Sequence, residues 1–174
     1  MGEASGAGAI FGTTGGVMEA ALRTAADTLE GKELKKLNYE AVRGEKGIKE
    51  AKLNLGGTEL KVVVASGLAN AKKIMEEIKS GKADYHFVEI MACPGGCVMG
   101  GGQPIKNSRI RASVDVRKLR AEALYSIDEA SRIRKSHENP AIKKMYQEFF
   151  KIPGGEKSHK YLHTHYTAKE KYNI

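Results

Sequence analysis

Residues 48 to 91 hold the pattern that most limits what this 174-residue chain can fold into. The segment IKEAKLNL, 48–55, sets Ala51, Leu53 and Leu55 on one face of a strand. Gly56-Gly57 is a two-residue turn, and Leu60, Val62 and Val64 carry the alternation back, which predicts a β-hairpin. The return strand, LKVVVA, gives way at Ser66-Gly67 to a helix with Leu68, Ala71, Met75 and Ile78 along one side. Ser80-Gly81 ends that helix, and HFVEIM, 86–91, reads as another strand. Strand, helix and strand in one sheet demand a parallel, right-handed crossover. The segment after residue 91 therefore leaves the C-terminal end of a parallel strand, where α/β sheets place their sites.

That segment is MACPGGCVMGGGQP, 91–104, and it holds both cysteines of the chain, Cys93 and Cys97. A disulfide across three residues inside a Pro-Gly-Gly turn would be strained, so the thiols are free to bind metal. Soft thiolates select iron–sulfur clusters, zinc or copper(I). Glycines at 95, 96, 100, 101 and 102 lack a Cβ and let a bulky group approach the backbone, whose amides can donate to sulfide. Pro94 stiffens the turn. The competing reading is a buried cysteine pair in a packing turn, since free cysteines are often simply buried. A phosphate loop would need a G-K-[ST] ending or a G-x-G-x-x-G opening a helix, and neither is present.

The remaining periodicity is mostly helical. Thr13-Thr14-Gly15-Gly16 precede an amphipathic helix over 16–30 with Thr14 as its expected N-cap and Gly31 as its close. The two glycines leave that helix start approachable by a negative charge. YEAVRG, 39–44, is expected to be a further strand. Val114 to Arg134 carries Leu119, Ala123, Ile127 and Ala130 on one stripe, and Asn139-Pro140 starts a helix to Phe150 with Ile142, Met145, Tyr146 and Phe149 inward. The expected fold is α/β: a four-stranded mixed sheet with flanking helices and a helical C-terminal extension, divided as 1–112 and 113–174.

Basic residues exceed acidic ones by eight, but they are spread along the chain. There is no tryptophan and no aromatic–basic stacking motif, which argues against nucleic acid; an acidic redox partner fits the charge as well, and charge alone does not choose. No apolar run is long enough to span a membrane. The N-terminus lacks the basic and long apolar regions of a secretory signal, so a cytoplasmic, reducing setting is expected, with the periplasm as the alternative. His159, His163 and His165 could hold zinc if helical, but a hydrogen-bonded tail explains them too. His137 reads as a local structural contact. Glu19 and Glu89 have nothing beyond position to make them proton carriers.

Several blocks together resemble the [FeFe]-hydrogenases. MACPGGCVMGGGQP resembles their third cluster-binding motif, and SGAGAIFGTTGGVMEAALRTA, 5–26, the segment before it. The likeness runs through VVVASGLANAKKIMEEIKSGKADYHFVEIMACPGGC, RKSHENPAIKKMYQEFF and SHKYLHTHY, the last resembling a tail some members carry as a small subunit. The resemblance implies an H-cluster, a [4Fe–4S] cubane joined by one cysteine to a two-iron centre that makes or splits hydrogen. It implies Cys93 as a cubane ligand and Cys97 as the ligand bridging to the two-iron centre. Met91 and Phe11 would line the cofactor pocket, with Pro94, Gly95 and Gly96 around it. The family's Thr-Ser-Cys-Cys-Pro and Pro-Cys-x-x-Lys-x-x-Glu motifs, expected upstream of Ser5, are absent. The expectation is therefore one lobe of a catalytic domain, inactive alone, with a complementary N-terminal segment and an acidic ferredoxin-like electron carrier as partners. A related iron–sulfur assembly protein is the alternative.

Overall fold

A computed structural model describes residues 2–32, 38–44 and 46–170. Contacts divide the chain into two compact units, one of residues 3–139 and one built on residues 140–170.

The first unit is organised by a three-stranded sheet in the order β1-β2-β3. Strands β1 (Ile48–Leu55) and β2 (Thr58–Ser66) form the expected hairpin, paired from Ile48↔Ala65 to Leu55↔Thr58. Gly56 and Gly57 turn it with φ of 59° and 79°, the left-handed pair that a two-residue turn requires. Strand β3 (Phe87–Met91) runs parallel to β2, with Val64 beside Glu89 and Ser66 beside Met91. Helix α3 (Leu68–Lys79) makes the crossover.

Helix α2 (Gly16–Glu30) lies on one face of the sheet and closes at Gly31 in the left-handed conformation. Its Met18, Leu22 and Ala26 pack with Leu55, Val62, Val64, Tyr39 and Val42, and with Ala51, Leu53 and Leu60 at the margin. On the opposite face Val63 and Ala65 meet Ile74 of α3. A short helix α1 (Gly6–Ala9), capped by the Ser5 hydroxyl, leads through a 3-10 turn at Ile10–Gly12 to Thr13. After the cysteine loop come α4 (Ser108–Ser113) and α5 (Val116–Ala130), capped by Asn107 and Asp115.

Several expectations for this unit need correction. The segment 39–44 is a 3-10 turn at Glu40–Val42, not a strand, so the sheet has three described strands rather than four. Tyr39 and Val42 are both buried in one cluster, which residues three apart achieve in a turn but not in a strand. In α3 the buried residue is Ile74, whereas Leu68, Met75 and Ile78 are exposed. In α5 the stripe of Leu119, Ala123 and Ile127 faces outward. The inward face is Ala121, Leu124, Tyr125 and Asp128, and it is chosen by charge.

Asp128 is fully buried and receives both guanidinium nitrogens of Arg23, at 2.7 and 2.8 Å, and Arg134 at 2.6 Å. Arg23 also donates to Glu19 at 2.9 Å, and Glu19 takes Nε and an Nη of Arg43, each at 2.7 Å. Burial pushes the Asp128 carboxyl up, but the hydrogen bonds from Arg23 and Arg134 outweigh it and hold the group below the ordinary carboxylate range. This network ties α2, α5 and the 40s turn together. Glu19 is therefore an interior strut.

In the second unit, α6 (Pro140–Met145) begins at Pro140 as expected and widens into a π-type turn over Tyr146–Phe150, closed by Lys151 N–H donating to Tyr146 O at 2.6 Å. The extra residue in that turn advances the inward position by one. Phe150 is buried, and Phe149, expected inward, is 43% exposed; Ile142 and Met145, ahead of the turn and also expected inward, are exposed as well. Helix α7 (Glu156–Leu162) follows the Pro153-Gly154-Gly155 break.

Candidate metal centre at the cysteine loop

The loop starts where β3 stops. Met91 O accepts the N–H of Gly67, so the last residue of the strand is fixed to the start of the crossover helix. The chain then turns, Gly96 N–H donating to Cys93 O at 3.0 Å, and Cys97–Met99 form one 3-10 turn. Gly95 and Gly96 have φ of 85° and 94°. At Gly96 a Cβ would stand 2.6 Å from Gly12 O and 2.8 Å from Thr14 N, so the position is barred to side chains by both space and backbone.

Two further supports hold the loop from behind. Thr14 N–H donates to Gly95 O at 3.1 Å. Arg120 of α5 donates to Val98 O at 2.9 Å and to Pro104 O at 2.7 Å. With its backbone fixed on that side, the loop leaves Cys93 and Cys97 free and exposed. Met91 is half-buried, Pro94 exposed, Gly95 half-buried and Gly96 buried. Phe11 is 44% exposed in the turn that touches Cys97–Met99, and it lines an open apolar groove along α2 with Val17, Ala21, Ala25 and Leu29. The cysteines are not among that groove's lining residues.

The helix start beneath the loop is not as expected. The N-cap of α2 is Gly15, with φ 97°, and Thr14 gives no cap bond. The Thr14 hydroxyl is buried without a hydrogen-bond partner. Instead Glu89 of β3 reaches across, its two carboxylate oxygens accepting from Gly15 N–H and Met18 N–H, each at 2.6 Å. The negative charge that a free helix start favours is thus supplied from inside. Lys49 of β1 is its buried countercharge and donates to Thr14 O and Gly44 O, both at 2.9 Å. Burial lowers its ammonium to about 8, with Glu89 opposing the shift. The signal for this pair was present in the sequence. Lys49 shares the inward face of Ala51, Leu53 and Leu55, and Glu89 interrupts the otherwise apolar FVEIM.

The donor set suits a thiolate-held iron–sulfur group: two exposed sulfurs on a pre-shaped loop, with open space beside Gly101 and Gly102. Two thiolates are half of what a cubane takes. Elsewhere, the one cluster of three metal-ligating side chains among the described residues is Asp27, His137 and Glu138. Lys135 already places its ammonium 2.7 Å from Asp27 and 3.3 Å from Glu138. His137 bonds Asp27 and Thr24, a structural contact made to α2 rather than the local one expected. In the second unit His159 of α7 and His163, just past the end of that helix, sit side by side and exposed, their Nδ1 atoms 2.7 Å apart. His165 lies beyond the helix end.

Residues 1–101 match the family described as the C-terminal domain of the iron-only hydrogenase large subunit, and 114–169 match the iron hydrogenase small subunit. The chain belongs to the iron-only hydrogenase family. It is 51% identical over 166 residues to iron hydrogenase 1 of Clostridium pasteurianum, covering 95% of this chain and 29% of that protein. The fold superposes on a variant of the [FeFe]-hydrogenase HydA1 from Chlamydomonas reinhardtii with a TM-score of 0.69 and 41% identity, covering 91% of this chain and 46% of that one. Cytosolic iron-sulfur assembly component 3 of Mus musculus is 34% identical over 92% of this chain and 32% of its own length. The chain thus spans about a third of the curated relatives it matches and under half of the solved hydrogenase. No helix among the described residues is long and apolar enough to cross a membrane.

Proposed function

We propose that this chain is the C-terminal lobe of an [FeFe]-hydrogenase catalytic unit, divided as 1–112 and a small-subunit-like 113–174, and that Cys93 and Cys97 hold one side of its H-cluster. The observation that carries the reading is the pair of exposed thiols on a loop already fixed from behind by Thr14, Gly96 and Arg120. When bound, the group supplies the redox chemistry of 2H⁺ + 2e⁻ ⇌ H₂. Within the chain, Cys93 and Cys97 would hold the group, Cys93 as a ligand of the cubane and Cys97 as the ligand shared with the two-iron centre. Gly95 and Gly96 keep side chains away from the turn, and Met91 and Phe11 would line the apolar side of the cofactor pocket.

The remaining ligands come from a complementary N-terminal segment or subunit, electrons from an acidic ferredoxin-like carrier, and the setting is the cytoplasm. The isolated chain is inactive. Anaerobic mixing with a complementary N-terminal hydrogenase segment, followed by cofactor maturation, should give hydrogen evolution that Cys93→Ser and Cys97→Ser each abolish. Full activity from this chain alone would overturn the reading.

The similarity to an iron–sulfur assembly component supports a second reading, a cluster-binding protein without hydrogenase activity. Infrared bands of CO and cyanide after maturation exclude it, and a bare cubane favours it. The higher identity to iron hydrogenase 1 supports the first.

A further inference from the structure

The second unit carries a side-chain pair that the hydrogenase reading does not use. His159 and His163 are four residues apart, their Nδ1 atoms stand 2.7 Å from each other, and their rings meet at 74°. Both residues are exposed. Among the described residues neither imidazole has another hydrogen-bond partner. A contact this short between two ring nitrogens needs a proton on one and a lone pair on the other. In water such a bond holds little, because solvent serves each nitrogen equally well. The two rings are therefore not explained as part of a packed tail.

Their geometry does suit a metal ion. The backbone holds them on successive turns, the N–H of His163 donating to His159 O at 3.3 Å. A four-residue spacing puts two imidazoles on one helix face, the arrangement by which paired histidines on a helix grip zinc. Nitrogens bound to one tetrahedral zinc lie about 3.3 Å apart, so the two Nδ1 atoms need to part by only about 0.6 Å. Both side chains are exposed and can turn that far without disturbing a packed neighbour. The local charges are compatible with a cation. His163 caps the C-terminus of α7, where the helix dipole is negative. Glu156, three residues before His159, shares the same face. Lys157 and Lys160 hold their ammonium groups over the rings of Phe149 and Tyr161, at 5.0 and 5.4 Å. Paired neutral imidazoles select zinc and its late first-row neighbours, whereas magnesium and calcium take oxygen.

We propose that His159 and His163 form a zinc site at the C-terminal end of α7, with water in the remaining coordination positions. The bound ion links the last turn of the helix to the segment that follows it, closing a helix end whose last carbonyls otherwise face solvent. The site lies wholly within the second unit and stands independently of the cysteine loop.

The test uses the full chain carrying Cys93→Ser and Cys97→Ser, which removes the competing thiolates, with Zn²⁺ titrated in a calorimeter at neutral pH. A single ion should bind, and His159→Ala and His163→Ala should each weaken it about tenfold or more. His86→Ala, the same change at an exposed histidine of the first unit, and His165→Ala, beyond the helix end, should each alter the affinity less than about twofold. In NMR spectra of the parent, Zn²⁺ should move the ring-proton signals of His159 and His163 and leave those of His86 and His137 in place. No saturable binding would overturn the proposal. So would a loss as large from His165→Ala or His86→Ala, which would mean diffuse capture by scattered histidines. Shifts at His137 in place of the pair would put the ion at the Asp27 cluster, and displacement by Mg²⁺ would mean oxygen ligands; either result overturns it. The substituted histidines are exposed, so unchanged circular dichroism verifies that the fold survives. With both cysteines removed, the outcome is separate from that of the hydrogenase reading, which the infrared experiment decides.

Discussion

Replacing Glu89 by Gln isolates the device that fixes the start of α2 beneath the cysteine loop. The native carboxylate is buried and satisfies two helix N–H groups, those of Gly15 and Met18, at 2.6 Å each. An amide keeps one acceptor and turns an NH₂ group toward the other N–H, leaving a buried donor unpaired at about 1–3 kcal/mol. It also removes a negative charge from a helix N-terminus, which in a buried geometry contributes up to about 2 kcal/mol. Together the loss is about 2–4 kcal/mol, or roughly 5–12 °C in melting temperature for a chain of this size. The same substitution leaves the Lys49 ammonium buried without its countercharge. The double variant Glu89→Gln/Lys49→Met should therefore be less destabilised than the sum of its singles, by about 1 kcal/mol or more. Thermal and urea unfolding of the four proteins of the cycle at pH 7 provide the measurement. A Gln variant that melts within about 1 °C of the wild type would refute the capping argument. Strict additivity in the cycle would refute the coupling to Lys49.

Further outcomes follow from other residues. Lys49 is depressed to about 8 in the folded chain and returns to about 10.5 when unfolded, so the unfolded state binds the extra proton between those values. Stability should rise from pH 8 toward pH 9.5, by at most about 3 kcal/mol over the full window, and Lys49→Met should erase the slope in unfolding curves taken at steps of pH. Above pH 10 the sign reverses, because burial raises the hydroxyls of Tyr39, Tyr125 and Tyr85, the last to about 12, and the folded state then holds the protons. Asp128→Asn removes the charge that faces Arg23 and Arg134 and leaves Glu19 as the one carboxylate on Arg23, and should cost about 3 kcal/mol, read as the shift in urea midpoint. Gly96→Ala should abolish cofactor incorporation in the complemented protein, measured as iron per chain. Gly101→Ala, with no atom within 4 Å of the new Cβ, should leave it unchanged.

The parts of this fold that were legible in the sequence are those whose cause is local. The Gly56-Gly57 turn, the strand alternation around it and the Gly31 stop each depend on the conformational limits of a few adjacent residues. The cysteine loop was legible for the same reason, since its residue types and its place after a parallel strand are both written in one segment. What escaped was decided by distant partners. The cap of α2 comes from residue 89 rather than residue 14, 74 positions from the Gly15 it serves. Periodicity found the apolar stripe of α5 but not its direction, because one buried aspartate bound to two arginines outweighs Leu119 and Ile127 in orienting the helix. Tyr39 and Val42 passed for strand residues because a three-residue spacing and a two-residue spacing are hard to tell apart over six positions.

The cap from Glu89 also bears on how the loop presents its thiols. Three sets of bonds hold residues 91 to 104 without any help from a cofactor: Gly67 to Met91, Thr14 to Gly95, and Arg120 to Val98 and Pro104. The middle one depends on the position of Thr14, which Lys49 fixes through its carbonyl and Glu89 fixes through the neighbouring Gly15. Ordering a residue costs about 1–2 kcal/mol, so a loop already held at these points avoids several kcal/mol when further ligands close around the metal group. That saving is realised only if Lys49 and Glu89 keep their bonds to Thr14 and Gly15. Weakening Glu89 or Lys49 should therefore lower the iron content of the complemented protein even where Cys93 and Cys97 are untouched. A Glu89→Gln variant that melts lower yet fills with iron as fully as wild type would confine the pair to stability and separate it from presentation of the thiols.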